Sequence, residues 1–375
     1  MPRRGRLLAL ASGAGLALAA TAATGQESTT PIEDLQDQAE TSANATERLV
    51  LPIPLSNPTL GTGLALAFVK VYEPEGTGKP WTTGAGALYT SHKDRALAAF
   101  HNMALDGDRL RFSGVAGYAS LPLKFYGIGS AAGDRGVALD IQQDVIGGRI
   151  EGLVRVAANL HAGVRVRVQG VRTRIRTDGD GPIADLIPSI QRRSTIVAVG
   201  PSIVFDRTDA PFNPRNGVLA EAHWLVGVPL LGSDFAYSRV TASANVYHAL
   251  GERTGIAARA SICAAGREAP YYDLCNYGQS NDLRGYLNGQ YRDRASWAVQ
   301  AELRRKLWGR LGGVAFAGIG GIAPAIGRLG DTTLLPGAGL GLRYKISQAY
   351  GINARVDAAV GKNSHAIYFS VGEAF

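Results

Sequence analysis

Beyond residue 20 the chain contains no run of 18 apolar residues. A bilayer-spanning helix needs about 20 of them, so a membrane-resident mature chain would have to cross as a β-barrel. Catalytic signatures are missing too: there is no Gly-x-Ser-x-Gly elbow, no His-Glu-x-x-His pair and no phosphate loop. His92, His101, His161, His223, His248 and His365 stand singly and read as strand or loop residues, not metal ligands. The Gly-x-Gly pattern at Gly337, Gly339 and Gly341 lies in a strand pattern, without the helix a dinucleotide fingerprint requires. No enzyme activity, metal or cofactor is therefore expected. The formal charge is +8, part of it from Arg3, Arg4 and Arg6. Without a basic helix or interleaved aromatic and basic residues, that excess belongs to loops and lumen, and nucleic acid is excluded as a partner.

What is present begins with a secretory signal. Residues 1–25 combine a basic start, an apolar run from Leu7 to about Ala20, and small residues Ala20-Thr21-Ala22 at a cleavage position. Residues 26–46 are polar, acidic and aperiodic, a lead-in too short to bury a core. Cysteine is nearly absent: Cys263 and Cys275 stand twelve positions apart. In an exported chain they read as a disulfide that ties a long loop to the preceding strand, the alternative being two free buried thiols.

From residue 47 to 375, segments of 10 to 15 residues alternate apolar with polar or small side chains between Gly, Asp, Asn and Pro clusters. Glycine, at 48 residues, suits tightly curved strands. In 295–307, Trp297, Val299, Ala301, Leu303 and Leu307 oppose Ser296, Gln300, Glu302, Arg304 and Lys306. Leu340, Leu342, Tyr344 and Ile346 oppose Arg343 and Lys345; Ile352, Ala354, Val356, Ala358 and Val360 oppose Asn353, Arg355 and Asp357. The last strand, 365–375, groups Ile367, Phe369, Val371 and Phe375. A soluble sandwich also alternates, but its strands run nearer 5 or 6 residues. Strands of about 9 to 11 residues fit a tilted bilayer crossing with apolar side chains to lipid. Arg or Lys facing lipid at mid-depth would cost about 2–4 kcal/mol, so Arg343, Lys345 and Arg355 must point into a wet lumen.

The expected fold is an all-β transmembrane antiparallel barrel over 47–375. Fifteen strands are legible, at 60–72, 81–91, 95–106, 109–124, 138–157, 160–172, 194–206, 216–228, 235–249, 254–265, 295–307, 312–323, 335–347, 350–361 and 365–375. Bacterial single-chain barrels have even strand numbers, and Arg48 to Ser56 supplies a sixteenth. Its Pro52 and Pro54 suit an edge or seam strand that would meet the last strand where the barrel closes, the alternative being a short inert plug segment. Short turns at 106–108, 251–253 and 308–310 alternate with longer loops, among them a basic-margined one at 173–193.

The longest connection carries Asn281-Asp282-Leu283-Arg284-Gly285-Tyr286, an Arg-Gly-aromatic tip that reads either as a surface turn or as a loop folded back into the barrel. Leu283-Arg284-Gly285-Tyr286 resembles the Val-Arg-Gly-aromatic loop tip of the BamA/TamA-type outer-membrane superfamily, which includes two-partner secretion transporters and the bacterial surface antigen family. The stretch 206–217, with Asp206, Arg207, Asp209, Pro211, Pro214 and Gly217, resembles its strand-turn-strand signature. Phe125-Tyr126-Gly127-Ile128-Gly129 and the ending with Phe369, Gly372 and Phe375 also fit, the ending as a C-terminal strand signal.

The resemblance implies 16 strands with the long outer loop in the lumen and Arg284, Gly285 and Tyr286 forming a lock against acidic residues. Glu302 fits one partner. At the family's second acidic position stands Gly318, which makes inward-facing Asp357 the substitute. No room is left in 26–46 for a polypeptide-transport-associated domain, so a barrel-only member is expected. The implied role is outer-membrane biogenesis, helping insert or translocate protein through a seam. Its partners would be outer-membrane lipid, unfolded outer-membrane protein clients and the host machinery that assembles the barrel. The alternatives are a passive diffusion pore or structural surface barrel and, from another class, a secreted β-sandwich binding protein.

Overall fold

The computed structural model describes residues 46–57, 61–74, 77, 79–91, 93–176, 189–278 and 282–375. The expected signal segment, nearly all of the 26–46 lead-in, the centre of the basic loop, His92 and Asn281 lie outside the described residues. The strands are β1 (Glu47–Asn57), β2 (Gly61–Tyr72), β3 (Trp81–Thr90), β4 (Arg95–Leu105), β5 (Leu110–Phe125), β6 (Leu139–Ala157), β7 (Leu160–Ile175), β8 (Arg193–Asp206), β9 (Gly217–Gly227), β10 (Ser238–Ala249), β11 (Thr254–Ala265), β12 (Cys275–Tyr277), β13 (Tyr291–Asp293), β14 (Ala295–Trp308), β15 (Leu311–Ala323), β16 (Leu335–Lys345), β17 (Asn353–Gly361) and β18 (Ser364–Val371). Sixteen of them form one antiparallel sheet in chain order, while β12 and β13 pair separately inside the long loop. The barrel expected from alternation is the fold formed. The proline-bearing stretch is its sixteenth strand, since β1 pairs with β2 from Glu47 opposite Val71 to Asn57 opposite Gly61.

Period-two patterning produces two walls of different chemistry. On β14, Val299 and Leu303 are exposed while Gln300 and Glu302 are buried. On β16, Leu340, Leu342 and Tyr344 face out and Arg343 is buried; on β17, Val356 and Val360 face out while Arg355 and Asp357 are buried. The apolar wall is the one that suits lipid. Exposed Trp308 and Tyr344 stand at the short-turn end, where a barrel's amphipathic aromatic rings form girdles.

The sheet curls until its edges approach. Leu49 and Leu51 of β1 pack on a cluster of Val69, Val71, Phe100, Phe212, Tyr350, Ile352 and Val371, the last of these at the end of β18. Ser347 Oγ donates to Glu47 Oε2 at 2.5 Å. Among the described residues no ladder joins β1 to β18.

Two expectations from alternation fail. The last strand stops at Val371 and does not run on to Phe375. Gly372 turns with φ 90°, a conformation that side chains disfavour, and breaks the period. Glu373, Ala374 and Phe375 then fold into the lumen, where Phe375 packs with Tyr247, Ala257 and Leu219 and not beside outward-facing Ile367. Glu373 has cationic partners there that the outer wall does not offer. Ile352, placed by period on the outer face, precedes β17 and is buried in the cluster under β1.

Candidate functional site

The connection between β11 and β14 enters the lumen and is held at two places. At its base, the Cys263–Cys275 disulfide, with Cα atoms 5.8 Å apart, fixes the start of the loop ladder to β11. Asp273 accepts two hydrogen bonds from Arg167 of β7, at 2.9 and 2.6 Å, and one from the Tyr237 hydroxyl. Tyr271 hydroxyl lies 2.6 Å from Thr173 Oγ1, and Tyr272 hydroxyl 2.6 Å from Ser194 Oγ. Burial raises the Tyr272 phenol above its ordinary range, which keeps it neutral and able to donate. Arg292 of β13 lies between Phe125 and Tyr271, donating to Asn276 Oδ1 at 2.7 Å. Burial without a carboxylate lowers it to about 10, still protonated at neutral pH.

The tip crosses to the opposite wall. Arg284 is fully buried; its Nη1 donates to Asp357 Oδ2 at 2.6 Å and its Nη2 to Gln300 Oε1 at 3.2 Å and to Glu302 Oε1. The guanidinium carbon stands 3.4 Å from the Phe316 ring centre. Glu302 Oε2 also accepts from Arg304 Nε at 2.9 Å. Asp357 Oδ1 accepts from Arg343 Nη1 at 2.5 Å, and Arg343 Nε donates to Glu373 Oε2 at 2.7 Å. The order is Arg304, Glu302, Arg284, Asp357, Arg343, Glu373, an alternation of three cations and three anions. Arg304 Nη2 closes it by donating to the Phe375 carbonyl at 2.6 Å. Taking an ion from water costs several kcal/mol, and only close opposite charges with further hydrogen bonds offset that. Every interior member of this chain has such neighbours on both sides.

Glycines make the cradle. A Cβ on Gly318 would meet Leu283 Cδ1 at 2.5 Å, one on Gly337 the Arg284 carbonyl at 2.6 Å, and one on Gly361 the Tyr286 ring at 2.6 Å. A side chain at Gly318 would also meet the Val299 carbonyl and Gln300 of β14, so it would disturb both wall and loop tip; the second carboxylate on Arg284 is that of Asp357. Gly285 adopts φ 125°, turning the chain between Arg284 and Tyr286. Tyr286 hydroxyl donates to the Pro336 carbonyl at 2.5 Å and accepts from Lys362 N–H at 3.0 Å, and its ring packs edge-on to Tyr277 and Tyr291.

The structure thus brings Arg284, Gly285, Tyr286, Glu302 and Asp357 together. Arg304, Arg343 and Glu373, members of the same chain of charges, were not assigned from sequence, although alternation already turned Arg304 and Arg343 inward. Arg167 and Asp273 had no such signal, since Asp273 lies in an aperiodic loop. Phe369 is half-buried in β18 and Gly372 marks its end.

The 206–217 signature stands apart, at the short-turn end. Thr208 N–H and hydroxyl donate to Asp206 Oδ1, while Arg215 N–H donates to Asp209 Oδ1 at 2.8 Å. Arg207 and Val218 exchange backbone bonds, Pro211 and Pro214 are buried, and Gly217 takes φ 121°. These contacts aim fully buried Phe212 into the cluster under β1 and β2. A lumen cavity of about 150 Å³ remains beneath the loop, lined by Arg149, Glu151, Arg165, Glu221, His223 and Asp282 among others.

Residues 75–375 match the Omp85 superfamily domain. The chain belongs to the Omp85 superfamily. BamA from Haemophilus ducreyi lacking POTRA domains 1-3 superposes with a TM-score of 0.54 at 13% identity, over 86% of this chain and 67% of that one. CdiB from Escherichia coli gives 0.57 at 12% identity, over 90% and 68%. At such identities the likeness is one of fold. No curated protein matches the chain.

Proposed function

We propose that this Omp85 barrel assists insertion or translocation of polypeptide at the bacterial outer membrane, through the seam between β1 and β18, with Arg284, Glu302 and Asp357 holding the loop that fills the lumen. The observation that carries the reading is the seam itself: no ladder joins the first and last strands among the described residues. Pro52 and Pro54 lie two apart on β1 and lack N–H donors. Pro is tolerated in a strand where its nitrogen faces an unpaired edge. An edge short of donors pairs weakly and can admit the edge of an incoming strand. The 1–25 signal would deliver the chain to the periplasm, an oxidising compartment where Cys263–Cys275 forms. Its partners would be outer-membrane lipid, unfolded outer-membrane protein clients and the machinery that assembles it. The filled lumen argues against a passive diffusion pore.

The test is the rate at which a small unfolded barrel protein inserts into liposomes with and without this protein. Acceleration is expected, reduced in Arg284→Ala and in Pro52→Val/Pro54→Val, which returns two donors to the seam. Unchanged insertion together with leakage of small solutes would replace this reading with the pore.

A further inference from the structure

The outward wall changes chemistry at the loop end of β6, β7 and β8. Side chains two apart share a face, so the outward positions of β7 run Val164, Val166, Val168 and Gly170, then Arg172 and Arg174, with Arg176 just past its end. On β6 the same face passes from exposed Ile150 and Ile146 to Asp144, Gln142 and Asp140, and β8 begins with exposed Arg193. The ladder sets Arg172 between Asp144 and Arg193, and Gln142 opposite Arg174. Arg172 lies four residues beyond exposed Val168, about 13 Å along the strand and about 9 Å in height at a tilt near 45°. Over that height hydrocarbon gives way to headgroups.

Cations outnumber acids on this patch. Arg174 pairs with Asp144 at 2.8 Å, and Lys124 of β5 pairs with Asp140 at 3.7 Å. Arg176 donates to neutral Gln142 at 3.3 Å. Among the described residues, Arg172, Arg176 and Arg193 have no carboxylate within ion-pair distance, while Arg192 is engaged and is not counted. Asp234, on the connection from β9 to β10, accepts from the Thr195 N–H at 2.6 Å. Arg172 and Arg193 also stand directly opposite each other on one face, where Cβ atoms lie about 4.5–5.5 Å apart and like charges destabilise. An anion seated between them removes that repulsion, and guanidinium forks match phosphate with parallel donors. The patch faces sideways above the apolar wall, so a lipid whose phosphate reaches it lays its chains against Val168, Ile146 and Ile150.

We propose that Arg172, Arg174, Arg176 and Arg193 bind the phosphate of a lipid headgroup in the outer leaflet. Asp144 and Gln142 brace Arg174 and Arg176, while Arg172 and Arg193 supply unmatched charge. Outer-membrane barrels turn short connections to the periplasm and long loops outward, which sets the leaflet. The site rests on outer-membrane placement and is independent of the insertion reading.

Native mass spectrometry of the purified full chain in non-ionic detergent, with bis-phosphorylated lipid A as the probe, tests it. One retained lipid is expected, bound at least about tenfold more tightly than the same lipid stripped of both phosphates, the scale of a lost charge-assisted hydrogen bond. Arg172→Gln/Arg193→Gln should lose a similar factor. Arg267→Gln/Arg328→Gln, which removes two exposed cations elsewhere at the loop end, should bind as the parent does. Heat-shifted gel mobility checks that both variants fold, and the phosphate-free lipid tests the site without any variant. Equal losses in the two variants would mean diffuse charge attraction, and indifference to the phosphates would mean binding through acyl chains alone. Equal thermal stabilisation by inorganic phosphate at the same concentration would make the free anion the ligand. Each of these would overturn the proposal.

Discussion

The two ends of the lumenal loop are held by different chemistry. The base combines a disulfide, one Arg–Asp pair and neutral tyrosine hydrogen bonds, each contact local to β6, β7, β8, β10 and β11. The tip has no covalent tie; a chain of six charges holds it and runs on into the C-terminal residues Glu373 and Phe375. A fault at the base stays where it arises. At the tip, each ion completes the environment of the next, so a fault spreads to the end of β18 and thus to the seam.

The largest expected effect breaks the tip. Arg284→Ala leaves Glu302 and Asp357 each short of a buried cation and should destabilise the barrel by about 3–5 kcal/mol. Heat-shifted gel mobility and thermal unfolding in detergent would read this, with new protease sensitivity at the C-terminus as the sign of spreading. A drop confined to the loop would contradict the coupling. Reducing Cys263–Cys275 is the counterpart at the base. A closed loop of about 13 residues corresponds to roughly 3 kcal/mol of chain entropy, with protease sensitivity confined to the loop and the C-terminus still protected.

Alternation made the barrel legible, because lipid and lumen impose opposite chemistry on successive side chains. Arg343 and Asp357 could be turned inward from sequence for that reason. Pairing across the lumen has no period. Which cation meets which carboxylate depends on where the loop crosses, and aperiodic Asp273 gave no warning of Arg167. The C-terminal turn was missed for a related reason. Gly372 falls where a further strand residue fits the alternation, and only the lumenal partners of Glu373 explain the break. In the sequence the abundance of glycine points to strand curvature and Gly318 to a missing acid, whereas Gly318, Gly337 and Gly361 leave room for Leu283, Arg284 and Tyr286.

A smaller effect sharpens the view of the tip as a close fit between loop and wall. Gly318→Ala places a methyl against Leu283 of the loop and against the Val299 carbonyl and Gln300 of the wall, and should cost about 1–3 kcal/mol through overpacking. Far-UV circular dichroism should show an intact sheet melting at a lower temperature. An unchanged melting temperature would mean that loop and wall both yield at no cost.

The smallest effect concerns the strap at the loop end of the seam. Lys362, in the turn between β17 and β18, pairs with Asp134 at 2.8 Å, and Asp134 also accepts from the Tyr291 hydroxyl at 2.9 Å. The hydrogen bond from Lys362, chiefly, holds the Asp134 carboxyl below the usual range. A depressed carboxylate pKa stabilises above the unfolded value of about 3.9 and loses that contribution as pH falls through the folded value. The pair should therefore be insensitive across neutral pH and open only in acid below about pH 4. Both partners are about a third exposed, so solvent screens them and Lys362→Ala should cost less than about 1 kcal/mol. The same variant in an Arg284→Ala background separates two arrangements of the seam. Additive losses would mean that strap and tip act independently. A larger combined loss would mean that the last hairpin is shared between them, since Tyr286 is bonded to Lys362 N–H while Arg284 is bonded to Asp357 four residues before the end of β17.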